Sequence, residues 1–383
     1  MSSGSGPVPT LFRPIQVGDI KLAHRVVLAP QTRLRNTAEH VPTDLSVEFY
    51  AQRASVPGTL LITEATYISP QASGQPFAPG IWNDEQIAAW RKVTDAVHAK
   101  GSYIFLQLWA LGRAARPELF HKEFPDYPYV SASPIPLKER PNDVPRELTK
   151  DEIKEYVRWY ATAAKNAIKA GFDGVEVHSA TGYLIDQFLQ DVSNKRTDEY
   201  GGSIENRARF ALEVLDAVVA AVGAKKVAIR LSPWSVYQDM RMEDPIPQFS
   251  YLVQQLKARH PDFAYIHLIT LNAIFSKGPE DPSCSQKESF INDIWAPRPL
   301  ITCGGYDRES GLKVAEETGH LIGYARAFSA NPDLPFRLRK NIKLNEVDLE
   351  SLYTPSTEKG YTTYPFSEEF LKAQAEGEIR LDV

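Results

Sequence analysis

The feature that most narrows the fold is a repeated alternation. Eight short runs rich in aliphatic and β-branched residues are separated by amphipathic helical patterns. The strand candidates are Val26–Pro30, Thr59–Thr63, Tyr103–Leu108, Gly174–His178, Val227–Leu231, Phe263–Ile269, Leu300–Cys303 and Leu321–Ala325. Helical patterns fall between them at Asp84–Lys100, Lys150–Ala170, Ser203–Val222, Pro245–His260 and Arg308–Thr318. Thr149 before "KDEI" and Ser203 before "IEN" each offer a hydroxyl to the free amides of a helix start. Strands that alternate with helices build parallel sheets. Eight such units predict an α/β fold, the (β/α)8 TIM barrel, which takes about 250 residues before insertions. An open doubly wound sheet is the rival, but no G-x-G-x-x-G follows an early strand.

The chain has 383 residues, so the barrel leaves a surplus. "LFRPIQVGDIKLAHR" reads as an N-terminal β-hairpin cap closing the barrel bottom, with Gly18-Asp19 at its turn. Long loops follow strand three (Arg113–Arg146) and strand six ("TLNAIFSKGPEDPSCSQKESF"), on the side where loops cover an active site. No linker divides the chain. The expected organisation is a flexible tail over 1–10, one barrel domain over 11–365, and a C-terminal extension over 366–383 packed on or near the barrel.

Composition excludes several classes. A net charge of -5 is no footprint for nucleic acid or an anionic membrane. No apolar run approaches the roughly 20 residues that cross a bilayer. "MSSGSGPVPTLF" lacks the basic-then-apolar order of a secretory signal. Two cysteines, Cys284 and Cys303, are too few for a disulfide framework or a zinc site and fit a reducing, cytoplasmic setting. There is no H-E-x-x-H, no G-x-S-x-G and no carboxylate cluster at strand ends, so no metal site is expected.

The C-terminal strand ends carry the chemistry in barrel enzymes. Here they carry Pro30-Gln31-Thr32-Arg33, then Gln107 and Trp109, His178, Arg230, Gly304-Gly305, and Ala325-Arg326. Each has a bland reading alone: a satisfied core polar group, a turn, a surface ion pair. Their convergence on one face is what points to a site. A cation inside a strand, Arg230, is costly to bury unless something pairs with it. The glycines and Arg326 suit a phosphate, which often sits after strands seven and eight of this fold. A barrel with one phosphate grip and no metal suggests flavin mononucleotide or pyridoxal phosphate. The second needs a Schiff-base lysine, and no candidate strand ends in one, which favours flavin.

At this point the motifs resemble those of a known family. "LFRPIQVGDIKLAHRVVLAPQTRLR", "TEATYISPQASG", "LQLWALGRAA", "GFDGVEVHSATGYLIDQFLQDVSNKRTDEYGGSIENRARF", "RLSPW" and "GYARAFSANPDLPFRL" are similar to the old yellow enzymes, in their fungal form, from about Leu11 to Pro365. The resemblance implies FMN held without a covalent bond and reduced by NADPH or NADH. It implies reduction of the C=C bond of α,β-unsaturated carbonyl compounds. By the same resemblance Pro30, Thr32, Ala65, Gln107, His178 and Arg230 surround the flavin ring. Gly304, Gly305, Ala325 and Arg326 hold its phosphate, with Ala325 in place of a common glycine. Tyr67, Trp109, Tyr237 and Tyr361 wall the substrate pocket. The run "SNKRTDEYGGSIENRARF" reads as structural.

The resemblance also gives roles at the end of strand four. His178 donates to the substrate carbonyl, and Tyr183 is the acid for the α-carbon. Thr181 departs from the usual asparagine or histidine of the second donor. Its hydroxyl reaches less far, and it faces His178 only if the chain turns helically. Gln75 departs from a common tyrosine. Together they suggest a reshaped pocket and a dedicated substrate, an intermediate of secondary metabolism. The alternatives are isomerisation on the same scaffold and a non-catalytic flavin or ligand-binding protein. A monomer or homodimer is expected, with a small molecule as its only partner.

Overall fold

The computed structural model describes residues 7–270 and 289–379. The eight runs become strands β1 (Val26–Leu28), β2 (Leu60–Ile62), β3 (Tyr103–Trp109), β4 (Gly174–Ser179), β5 (Val227–Leu231), β6 (Tyr265–Ile269), β7 (Leu300–Cys303) and β8 (Leu321–Tyr324). Each pairs in parallel with its sequence neighbours, and β8 returns to β1, so the sheet closes. Closure excludes the open sheet. Several ends differ from expectation. β1 stops two residues short of Pro30, which has no N–H for the ladder. β2 loses both threonines, Ala325 lies beyond β8, and β6 starts at Tyr265, whereas β3 and β4 each run one residue further.

Side chains alternate across each strand. Val175, Val177, Ile229, Ile266 and Leu268 point outward and pack under the helices. The inward set begins apolar: Phe105, Ala228, Tyr265, Ile301 and Leu321 cluster with Val17, Ile20 and Leu22. Those last three come from the antiparallel hairpin Ile15–Val17 and Ile20–Leu22, which seals the barrel bottom. Two residues further along, the same inward column turns polar with Gln107, Arg230, His267 and Cys303. The period of two thus carries chemistry towards the C-terminal end of the barrel.

The helices start where capping chemistry put them. Thr149 and Glu152 form a reciprocal capping box, and Ser203 accepts from the Asn206 amide. The insertion after β3 folds into a helix, Pro117–Glu123, and a short parallel pair, Val130–Ser131 with Arg146–Glu147. The expected long loop after β6 falls at 271–288, outside the described residues. Helix Glu368–Ala375 sets Phe370 against Phe336 of the barrel body, ring centroids 5.5 Å apart.

Gly18 gives a direct test of the hairpin. It sits at φ 52°, and a Cβ there would collide with the Lys225 carbonyl oxygen. Gly18→Ala should lower the free energy of unfolding by about 1–3 kcal/mol, read as a lower urea midpoint with an unchanged slope.

Candidate active site

A cavity of about 1500 Å³ opens at the C-terminal ends of the strands. Single small-ligand pockets run to roughly 1,000 Å³, so there is room for a cofactor and a substrate together. Pro30, Thr32 and Ala65 line it from β1 and β2, and Gln107 and Trp109 from β3. His178, Thr181 and Tyr183 line it from β4 and its following turn, and Arg230 from β5. Gly304, Gly305, Ala325 and Arg326 line it from just beyond β7 and β8, and Gln75 and Tyr237 line it as well.

Two expected pocket walls lie elsewhere. Tyr67 is fully buried behind Trp109, the rings stacked with centroids 4.8 Å apart, and its hydroxyl donates to the Gln75 carbonyl. It fixes the Trp109 wall from behind. Tyr361 is fully buried against Phe49, centroids 4.3 Å apart, with the Arg33 and Arg35 guanidinium carbons 5.1 and 5.2 Å from its ring centre. Its π face is taken up by these cations. The same arginines donate to the carbonyls of Ser351, Leu352, Thr357 and Gly360, and buried Arg53 donates to that of Tyr361. Tyr353, carried by this anchored segment, lines the cavity where Tyr361 was expected.

The turn after β4 is not helical. Thr181 sits at φ 54°, a left-handed conformation that is rare for a β-branched residue. It is held there by two bonds: its amide donates to Ser232 Oγ at 2.6 Å, and its carbonyl accepts from Gln238 Nε2 at 2.9 Å. Tyr183 follows as the N-cap of helix Leu184–Leu189. Its ring meets Trp109 and His178 edge to face, with centroids 5.0 and 4.8 Å apart. Burial raises the Tyr183 phenol above its ordinary range, so it stays protonated. Burial, with Arg230 and His267 nearby, pushes His178 well below the usual histidine value, so it is neutral. Its Nδ1 has no hydrogen-bond partner among the described residues.

Beneath these groups lies a polar floor only partly legible in the sequence. Gln107 Nε2 donates to Glu176 Oε1 at 2.7 Å, and Glu176 Oε2 lies 2.9 Å from His267 Nδ1. All three side chains are buried. Burial opposes charge on both partners, yet their mutual attraction wins: Glu176 is held below the usual glutamate range and His267 above the usual histidine range. Arg230, registered beside His178 on β4 and His267 on β6, thereby has its counter-charge in Glu176. Glu176 was findable, since it lies two residues before His178 on the inward face of the same strand. Gln238 and Tyr353 carried no such signal, being in irregular segments.

The β7 and β8 side suits an anion. Gly305 adopts φ 78°, open to glycine without strain. Arg326 has no hydrogen bond or ion pair among the described residues, so the carboxylate partner considered for it is absent from them. The stretch expected to be structural is so: Asn194 donates to the Phe188 and Tyr200 carbonyls, and Arg196 to those of Ala132 and Leu148. Among the described residues no group of His, Cys, Asp or Glu could hold a metal ion, and no helix is long and apolar enough to cross a membrane.

A closed (β/α)8 barrel with a large cavity at the strand ends, a buried donor floor and an arginine opposite that is unpaired among the described residues is a scaffold with room for an anionic organic ligand. Comparison with known proteins agrees. The sequence profile of the NADH:flavin oxidoreductase / NADH oxidase family matches residues 10–345. Chanoclavine-I aldehyde reductase of Penicillium roqueforti is 50% identical over 95% of this chain and 98% of its own. An NADP-dependent oxidoreductase of Aspergillus flavus is 46% identical over 94% of this chain and 97% of its own. The crystal structure of Old Yellow Enzyme from a Pichia species superposes with a TM-score of 0.85 at 41% identity, covering 94% of each chain. The chain belongs to this flavin oxidoreductase family and is a member of the old yellow enzyme group. It is an oxidoreductase.

Proposed function

We propose that the protein reduces the C=C bond of α,β-unsaturated carbonyl compounds, with FMN as cofactor and NADPH as reductant. One observation carries the reading: a phenol kept neutral by burial, Tyr183, stands edge-on to a neutral histidine, His178, in one cavity. The residues fit a flavin. Arg230 has a buried Nε without a hydrogen-bond partner among the described residues, although Glu176 balances its charge, and Arg326 makes no hydrogen bond or ion pair among them, so one donor faces the ring position and one cation the phosphate position. In this reading Gln107, Thr32 and Arg230 hold the ring, Pro30 and Ala65 pack against it, and Gly304, Gly305, Ala325 and Arg326 take the phosphate. When bound, the flavin supplies the hydride. His178 and Thr181 donate to the substrate carbonyl oxygen and stabilise the negative charge that grows there. Tyr183 gives its proton to the α-carbon, and its phenol is held by the turn that Gln238 and Ser232 brace. Trp109 and Tyr237 exclude water from the substrate.

NADPH rather than NADH is supported by the NADP-dependent relative. The relative named an aldehyde reductase makes an unsaturated aldehyde the class to test beside simple enones. The deciding experiment is anaerobic NADPH consumption by FMN-loaded protein with and without 2-cyclohexenone or such an aldehyde, followed by product identification. Enone-dependent consumption yielding the saturated product supports reduction. A rearranged product without net consumption points to isomerisation, and flavin bleaching with no product from any acceptor points to the non-catalytic reading.

Thr181→Asn tests the second donor. Asparagine tolerates the left-handed conformation better than threonine and reaches further. A missing donor costs on the order of 1–3 kcal/mol, or roughly 5- to 150-fold in rate. The variant should therefore turn over 2-cyclohexenone faster within that range and bind phenols more tightly. Flat values for both would show that Thr181 already makes the contact.

A further inference from the structure

We propose that Cys303 is a nucleophilic thiol that adds covalently to α,β-unsaturated carbonyl compounds when the flavin seat is open, and that bound flavin shields it. The shielding half rests on the flavin reading above; the nucleophile does not. Cys303 ends β7 and lines the cavity, retaining 8% exposure. Arg230 Nη2 donates to its Sγ at 3.3 Å. His267 lies on the neighbouring strand, and its Nε2 is buried with no well-formed hydrogen bond among the described residues. A Cβ built on Gly323 would stand 3.0 Å from Cys303 Cβ and 3.5 Å from His267 Nε2, so both flank the same glycine. The other ring nitrogen, Nδ1, is 2.9 Å from Glu176 Oε2. Thiol, imidazole and carboxylate thus follow in an order that activates a nucleophile: the carboxylate orients the ring and holds its positive charge, and that charge, with Arg230, favours the thiolate with the proton resting on the ring.

The groups around the sulfur are few. Arg230 faces it from β5 and His267 from β6, with Glu176 and His178 behind them on β4; Gly323 of β8 lies alongside, and the apolar neighbours are Ala180 and Ile269. Burial opposes ionisation, but His267 and Arg230 outweigh it and bring the Cys303 thiol down to about 7. An unperturbed cysteine titrates near 8.5. The addition needs no co-reactant. The sulfur lone pair forms a C–S bond to the carbon β to the carbonyl. The π pair moves to the α-carbon and takes up the proton that left the thiol, which His267 has carried. The product is a thioether, with no leaving group and no change of redox state in the protein.

N-ethylmaleimide is the probe, applied to holoprotein and to the same protein after reversible flavin removal, with intact-mass detection. Peptide mapping separates Cys303 from Cys284, the other cysteine in the chain. The stripped protein should gain one maleimide at Cys303 with a rate midpoint near pH 7, and FMN at roughly ten times its Kd should slow labelling about tenfold. Cys303→Ser should remove that adduct, and His267→Gln, checked for folding by circular dichroism, should move the midpoint up towards the ordinary thiol value. The idea is overturned if folded, stripped protein leaves Cys303 unlabelled while urea-unfolded protein reacts, or if the midpoint is that of an ordinary thiol. Labelling indifferent to FMN whose binding is seen in its absorption spectrum overturns the shielding. If FMN does not bind at all, the flavin seat fails, and a midpoint near 7 still supports the activated thiol.

Discussion

Tyr183→Phe is expected to cut enone reduction by roughly 10²- to 10⁴-fold, the usual worth of a positioned general acid. The substitution is sterically conservative. The ring keeps its edge contacts with Trp109 and His178, so only the hydroxyl is lost. The two half-reactions should separate. Bleaching of the flavin by NADPH in stopped flow should be unchanged, and reoxidation by 2-cyclohexenone should carry the whole deficit. Equal loss in both would mean that Tyr183 shapes the cavity and donates nothing. The pH dependence follows from the environment. Burial raises the phenol above its ordinary value of about 10 and lowers His178 below about 6.5. Both groups are therefore neutral between those limits, and turnover limited by reoxidation should be flat across them. A rise or fall centred inside that window that persists in Cys303→Ser and in His267→Gln would place the acid elsewhere, since those two groups are the neighbours shifted into it.

The second large effect is on stability. Glu176→Leu should lower the free energy of unfolding by about 3–5 kcal/mol, the cost of leaving buried charge without its partner. Glu176 has no exposed surface, accepts from Gln107 and neutralises His267, with Arg230 alongside. Leucine fills a similar volume and answers none of them. Glu176→Gln, which keeps a hydrogen-bond acceptor, should fall between the two and guards against a leucine variant that does not fold. Urea unfolding of flavin-free protein gives the comparison. The sign of its pH dependence is fixed by the lowered carboxyl value. The stabilisation from Glu176 is present above the unfolded glutamate value of about 4.3 and is lost as pH falls through the lower folded value. His267 contributes in the opposite sense: its stabilisation is complete below about 6.5 and fades as pH rises through the raised folded value. The gap between wild type and Glu176→Leu should therefore be widest in mildly acidic solution. Equal midpoints there would show that the buried pair is neutral in net effect.

The barrel and most of its lining were legible in the sequence because both depend on periodicity. Alternation of period two on strands and capping residues before helices fix which side chains point inward, and a strand end is a local property. Arg230, Gln107 and His178 follow from that alone. Assignment of roles to them came from resemblance to a family, since no spacing tells a flavin ligand from a satisfied core amide. What escaped depends on contacts distant in sequence. Tyr361 and Tyr353 lie eight residues apart in an irregular segment, and only the arginine stack decides which is buried and which faces the cavity. A helical turn was the condition set for Thr181 to face His178; Ser232 and Gln238, some fifty residues on, hold it left-handed instead. His267 was on an expected strand, but its value lies in Glu176, which is 91 positions away.

The anchoring of the 351–361 segment has a consequence for how the molecule is made. Arg33, Arg35 and Arg53 bind carbonyl oxygens more than 300 positions ahead of them in the chain. During synthesis those cations emerge more than 300 residues before these acceptors and lack them until the 351–361 segment has left the ribosome. Vectorial growth can assemble strands one after another, but the wall that carries Tyr353 cannot settle before the 351–361 segment has been made. This end of the barrel is therefore finished only after all eight strands exist, and a nascent chain halted before residue 351 would present three buried-type arginines to solvent, a form that chaperones and proteases can tell from the folded protein.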